Sequence, residues 1–236
     1  TEALRFAGKI VSATTSKKAG QWFISIQVDL GETCVRERKS HNQVGIDAGM
    51  TDAATFSNGE KFKAPKPFRK SKKKIEKLQR KLNRKPKQKE GKSNQWLKLQ
   101  RKLQKEHLRL TNIRKDFWNK LTFKICSENQ TVCVEDLAVK NLMKNHKLAF
   151  TLADIGLGEF FRQLDYKTKL FDSTLLQVDR WFPSSQLCSC CGHKQKMPLD
   201  IRVYQCTNCN SCIDRDINAA INILTEGLSG KWKQLS

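Results

Sequence analysis

Cys188-Ser-Cys-Cys191 and Cys206-Thr-Asn-Cys209 form two C-x2-C pairs separated by fourteen residues. Zinc takes four thiolates at tetrahedral corners, and each C-x2-C turn offers two of them to one ion. The interval is long enough for a β-hairpin that folds one pair onto the other. Cys190, Cys212 and His193 lie nearby, and Cys212 makes a second C-x2-C with Cys209, so the choice of four rests on the turns. Gly192, after Cys191, suits the tight turn of a knuckle. Asn210, after Cys209, can adopt the same left-handed conformation at higher cost. The expected ligands are therefore Cys188, Cys191, Cys206 and Cys209 around one structural zinc. Four thiolates leave no open coordination position, so this ion holds shape and performs no chemistry.

Three acids stand where regular elements end or begin. Asp47 follows Val44-Gly45-Ile46, Glu135 follows Val132-Cys133-Val134, and Asp216 opens Ile217-Asn218-Ala219-Ala220. Carboxylates on rigid elements can hold two hard cations about 3.5–4 Å apart, the arrangement that phosphoryl transfer uses. Oxygen ligands suit Mg²⁺ or Mn²⁺. Taken singly, Asp47 could be a turn residue, Glu135 a surface acid at a strand end and Asp216 a helix N-cap.

The surrounding elements must bring these groups together. Residues 5–13 and 21–30 alternate apolar and polar positions around Lys-Ala-Gly and read as a hairpin. A polar linker over 31–42 leads to residues 44–50, a buried strand running into a turn that glycine permits. Short strands at 53–57 and 60–63 flank Asn58-Gly59, a hairpin-turn signal. Residues 131–135 and 174–179 read as strands, and 154–171 and 217–224 as helices. Strands with helices between them give an α/β or α+β class.

Between Lys61 and Lys120 the composition changes: 24 basic residues stand beside four acidic ones. Ile75, Leu78 and Leu82 mark one helical stripe, and Trp96, Leu99, Leu103, Leu110, Ile113, Phe117 and Leu121 a longer one. Two basic amphipathic helices joined by a loop at 85–91 follow. Lysines at helical spacing without glutamates repel one another, so an anionic partner is expected along them. The whole chain repeats the imbalance, with 45 Lys and Arg against 23 Asp and Glu and a net charge of +22. Nucleic acid is the usual partner of such an excess. No apolar run reaches the ~18 residues of a spanning helix and no signal-peptide core opens the chain, which argues against a membrane and for a cytoplasmic, nucleoid-associated protein. Six of the nine cysteines fall between Cys188 and Cys212, a clustering that fits a metal site in a reducing compartment better than a disulfide frame. The opening at Thr1 reads as a fragment or a portion of a longer protein.

Four motifs, taken in order, resemble the TnpB family of transposon-encoded nucleases, which are similar to the ancestors of type V CRISPR effectors. They are Val44-Gly45-Ile46-Asp47-Ala48-Gly49; Val134-Glu135-Asp136-Leu137; Phe182-Pro183-Ser184-Ser185 leading into Cys188-Ser-Cys-Cys191-Gly192; and Asp214-Arg215-Asp216-Ile217-Asn218-Ala219-Ala220. The resemblance implies an α/β, RNase H-like (RuvC) domain over 42–186 with a basic helical insertion at 64–122. A four-Cys zinc ribbon follows at 187–211 and a C-terminal helix segment at 212–236. Residues 1–41 would be residual strands and linker of a β-barrel domain, most of the N-terminal half being missing. Asp47, Glu135 and Asp216 would be the catalytic, Mg-binding acids, with Asp214 and Asp136 as neighbouring rivals. The implied activity is RNA-guided, metal-dependent DNA cleavage. Guide RNA from the transposon end and target DNA would be the partners, together with a second polypeptide or the missing N-terminal portion. The competing expectations are a non-cutting RNA- or DNA-binding relative and a transposition accessory protein.

Overall fold

The computed structural model describes residues 8–31, 35–84, 93–198 and 200–230. They fall into two compact units, Thr1–Cys34 with Lys66–Lys115 and Val35–Pro65 with Asp116–Ser236. In the first, β1 (Lys9–Lys18) and β2 (Gln21–Asp29) form the expected antiparallel hairpin, with a register shift between Ile10 and Ser12; β1 runs to Lys18 rather than ending at residue 13, and residues 5–7 of the expected strand lie outside the described residues. Trp22, Ile24 and Val11 remain exposed on this ribbon.

The basic segment forms α1 (Pro67–Asn83) and α2 (Asn94–Glu128), and the expected loop at 85–91 lies outside the described residues. Pro67 at the start of α1 supplies a fixed φ where its missing N–H costs nothing. The two helices meet through an inserted acid. Glu106 is buried and takes an ion pair from Lys74 of α1 and another from Arg109, 2.8 Å away on its own helix. Arg109 Nη2 also donates to Ser71 Oγ at 2.7 Å. Arg109, then Lys74, hold the Glu106 carboxyl down at about 2. One acid thus cross-links two helices that both carry a large excess of positive charge.

The second unit is built on β3 (Asn42–Asp47), β4 (Ala54–Phe56), β5 (Lys61–Phe62), β6 (Asn129–Glu135) and β7 (Thr174–Val178). Their order in the sheet is β5-β4-β3-β6-β7, with β3 antiparallel to β4 and parallel to β6, and β6 parallel to β7. Central parallel strands are covered on both faces, which is why Val44-Gly45-Ile46 and Val132-Cys133-Val134 do not alternate with polar residues. Val44, Ile46, Val132 and Val134 face a core that includes Trp118 and Ile125 of α2. The Trp118 indole N–H donates to the Ile155 carbonyl at 2.9 Å and its ring lies 4.7 Å from Phe160. Trp118 is therefore a packing residue.

The crossover from β6 to β7 carries α3 (Val139–Leu142), α4 (His146–Ile155) and α5 (Leu157–Leu170). One helix over 154–171 was the sequence expectation; the structure breaks it at Gly156. There φ is 72°, a left-handed turn that ends α4 and opens α5. Beyond β7 the cysteine-rich segment forms a small antiparallel pair, β8 (Val203–Gln205) and β9 (Cys212–Asp214), running directly into α6 (Arg215–Leu228). This helix runs beyond the expected 217–224 at both ends; its earlier start follows from Asp214, which caps it by accepting from the Asp216 and Ile217 N–H groups at 3.0 and 3.2 Å.

The sheet face opposite the Trp118 core belongs to α6. It lies so close to β3 that a Cβ on Gly45 would come within 2.7 Å of Leu224 Cβ and nearer still to the Ala220 carbonyl oxygen. A Cβ on Gly227 of α6 would meet Cys133 Cβ at 2.9 Å. Two glycines, one on each element, therefore set how deeply α6 seats on the sheet. Gly45→Ala is expected to destabilise the fold by about 1–3 kcal/mol, the usual cost of overpacking. Thermal melting should fall by about 2–10 °C, and an unchanged midpoint would mean that the approach is not tight.

Candidate active site

The β3–β6 register places Ile46 opposite Val134. Asp47 and Glu135, one residue further on, therefore emerge side by side at the carboxyl ends of two parallel strands, where open α/β sheets place their ligands. Asp216 comes from the first turn of α6. All three line one cavity of about 650 Å³. Burial pushes the Asp47 carboxyl up to about 7, and the nearby Asp216 charge adds to this; Arg215 and Lys61 act against it. Burial likewise raises Glu135 to about 7, with help from Asp47 and Asp136. Like charges held together out of water make both acids reluctant to ionise without a cation beside them.

The neighbouring acids have other partners. Asp214 caps α6 and pairs with Lys61 at 2.8 Å. Burial pushes its carboxyl up, but the Lys61 ammonium and the Ile217 and Asp216 amides outweigh this and hold it below its usual value. Asp136 pairs with Arg180 and accepts from Gln177 Nε2 at 3.1 Å.

Other residues at the cavity were not expected from the sequence. Arg202, just ahead of β8, reaches Asp216 at 3.7 Å and donates to Thr51 Oγ1 at 3.3 Å, while Arg215 lies 3.4 Å from Asp216. Asp52 also lines the cavity; its Oδ1 is buried without a hydrogen-bond partner, and Oδ2 stands 3.9 Å from Lys61. No motif marks Arg202 or Asp52, because strand register and the ribbon's path, not spacing, bring them there.

Cys188, Cys191, Cys206 and Cys209 present sulfurs that all lie within 4.8 Å of one another. The Cys188–Cys209 and Cys191–Cys206 sulfurs are 3.6 and 3.7 Å apart. Tetrahedral thiolates at the usual zinc–sulfur distance would be about 3.8 Å apart. The cluster thus fits a structural zinc ribbon. Cys190 and Cys212 are exposed and outside it. Gly192 and Asn210 both have positive φ, 73° and 58°, and each N–H closes a knuckle by donating to the Cys188 and Cys206 carbonyls respectively.

Asparagines of α6 fasten this ribbon to the helix. Asn218 Nδ2 donates to the Leu187 carbonyl at 2.7 Å, and its Oδ1 accepts from the Ser189 N–H at 2.9 Å. Asn222 Nδ2 donates to the Ser184 and Leu187 carbonyls, both at 2.8 Å. Arg215 N–H also donates to the Arg202 carbonyl at 2.8 Å.

A mixed α/β fold carrying an acid-lined cavity and a four-Cys ribbon is the class so defined. Sequence comparison makes it specific: the OrfB_IS605 profile, described as "Probable transposase", matches residues 13–146, and that of the "Cas12f1-like, TNB domain" matches 158–223. The chain belongs to this OrfB_IS605, or TnpB, family. It is 42% identical over 90% of its length to a Streptomyces pristinaespiralis protein named "Putative RNA-guided DNA endonuclease", and covers 51% of that protein. It is 34% identical over 93% of its length to "Putative RNA-guided DNA endonuclease InsQ" of Escherichia coli K12, covering 57% of it. The chain thus spans about half the length of the curated relatives it matches. Its fold is also similar to that of the chain in "Cryo-EM structure of the Cas12f1-sgRNA-target DNA complex", with a TM-score of 0.50 at 20% identity, over 90% of this chain and 55% of that one. Among the described residues, no helix is long and apolar enough to cross a membrane.

Because the ribbon is hydrogen-bonded to α6, removing zinc should be felt at the acid cavity. Elemental analysis should find about one zinc per chain. Chelation should speed amide exchange over 186–212 and in the first turn of α6 while leaving β3 and β6 protected. Equal protection with and without metal would contradict the bracing role.

Proposed function

We propose that this chain carries the nuclease site of an RNA-guided DNA endonuclease, with Asp47, Glu135 and Asp216 as its catalytic carboxylates on a RuvC-type, RNase H-like domain. The observation that carries the reading is the meeting of three acids from three separate elements in one cavity, two of them pushed up to about 7 by burial and mutual repulsion. The donor set suits Mg²⁺ or Mn²⁺: it is all oxygen, and Asp52 adds a buried oxygen with no protein partner. When bound, a pair of such cations supplies water activation for in-line attack on a phosphodiester and neutralises charge on the leaving oxygen. Asp47 and Glu135 would hold them from the sheet and Asp216 from α6. Arg215 and Arg202 keep positive charge beside Asp216, where an incoming phosphate would need it. Cys188, Cys191, Cys206 and Cys209 would hold zinc and stabilise the ribbon that carries Arg202.

The partners in this reading are a guide RNA from the transposon end and the DNA strand it selects, sequence choice being left to base pairing. The basic faces of α1 and α2 would hold phosphates without reading sequence. The β1–β2 ribbon would belong to a barrel domain, and a nucleoid-associated cytoplasmic location follows from the partners. A second reading, a relative that binds nucleic acid without cutting, is favoured by the net charge of +22, which serves phosphate binding whether or not the acids cut.

The test is cleavage of a single-stranded DNA by the zinc-loaded chain, with its co-purified RNA, in magnesium. Asp47→Ala and Glu135→Ala should each abolish cutting and leave nucleic-acid binding within about threefold. Both carboxyls must be ionised to hold cations, and protons compete for them up to about pH 7. At subsaturating magnesium the rate should therefore rise with pH through about 6–8 and level off above. Unchanged cutting by either variant would sink the assignment; absence of cutting by the unmutated chain would favour the binding reading.

A further inference from the structure

Among the described residues, Trp181 is the most exposed large apolar side chain, at 84%. It lines the same cavity as the three acids. Its exposure does not come from a loose loop. The Trp181 N–H donates to Asp179 Oδ1 at 2.7 Å, and the Phe182 N–H to the Asp179 carbonyl at 3.0 Å. On one side Arg180 is paired with Asp136; on the other Phe182 packs against the cluster of Cys133, Val178 and Ile223. Two residues further on, the Ser184 carbonyl is held by Asn222 of α6. A turn pinned on both flanks therefore presents an indole to solvent and forgoes the burial an aromatic ring would normally gain.

The chemistry around the ring identifies what could cover it. Arg202 and Lys194 line the cavity with it, so the ligand should join a flat apolar face to negative charge. An unpaired nucleotide has both. In a duplex the faces of a base are covered by its neighbours, whereas in a single strand they are open to an aromatic platform, and stacking of this kind tolerates any sequence.

We propose that Trp181 is a stacking platform for one unpaired nucleobase of the strand that enters the acid cavity, and so makes the site prefer single-stranded to duplex nucleic acid. This rests on the nuclease reading above for which strand enters, but its test does not require cutting. Trp181 acts here by positioning; the reacting phosphate is held by other groups.

The experiment measures binding of a short labelled DNA single strand, and of its duplex, to the full zinc-loaded chain by fluorescence anisotropy. It is run in an Asp47→Ala background so that the strand survives. Trp181→Ala should weaken single-strand binding about 5- to 100-fold and Trp181→Phe by less than about fivefold, with duplex binding unaltered. An abasic scan should find one position where loss of the base weakens the Trp181 protein, and where Trp181→Ala loses nothing further. Melting temperature and zinc content should match among the variants, since the ring is exposed. Single-strand binding by Trp181→Ala within about twofold of the parent would overturn the proposal, as would equal losses for single strand and duplex. If cutting by the unmutated chain stops with Asp47→Ala while Trp181 proves neutral in binding, the platform fails and the nuclease reading stands. A positive abasic cycle in a chain that never cuts supports the platform and sinks the other.

Discussion

The close seating of α6 on β3 and β6 is the contact on which the site depends. Asp47 and Glu135 need only the parallel register of two neighbouring strands, which the backbone hydrogen bonds enforce. Asp216 has no such help: it belongs to a helix near the end of the chain and reaches the other two acids only if that helix packs at the right depth. Gly45 and Gly227 remove the two side chains that would hold it off. Ala220 and Ile223 lie in the same contact and are buried with them. The Asp214 cap then fixes the first turn, so that Asp216 is presented from a backbone already committed by its N–H groups.

The same helix ties the ribbon to the cavity. A pair of C-x2-C knuckles is too small to have a core beyond Tyr204 and its buried cysteines with Met197 and Ile213 against them, so the ribbon takes its shape chiefly from four sulfurs and its position from Asn218, Asn222 and the β9–α6 junction. Zinc, on this account, has a local role with a consequence elsewhere. Bound there, it would keep in place a short segment that contributes Arg202 to one side of the cavity and, through Asp214, the beginning of α6. In the first unit Glu106 plays a comparable part, binding Lys74 and Arg109 so that two helices of one sign can lie together.

Much of this was legible in the sequence where local pattern and burial agree. Val44-Gly45-Ile46-Asp47 reads as a covered strand ending in acid because a central strand needs apolar residues on both faces, and the structure has it so. The knuckle turns were legible from Gly192 and Asn210, since few residues tolerate positive φ. Gly156 was not: the apolar helical pattern over 154–171 runs straight through it, and only the left-handed backbone there reveals two helices. Arg202 and Asp52 were invisible for a different reason. Each is an ordinary charged residue whose place at the cavity follows from strand pairing or from the path of the ribbon, and neither has a local signature. Asp214 and Asp216, two residues apart, could not be told apart by spacing; the cap and the Lys61 pair now give Asp214 its own occupation.

The central claim is that three carboxylates brought together by this packing hold a pair of divalent cations. Crystals of the zinc-loaded chain soaked in manganese, with anomalous diffraction recorded on both sides of the manganese edge, test it most directly. The account predicts manganese peaks about 3.5–4 Å apart, contacted by Asp47, Glu135 and Asp216, with a separate zinc peak inside the four cysteines. Manganese bound elsewhere, or no manganese among those three carboxylates in crystals that retain the fold, would contradict it.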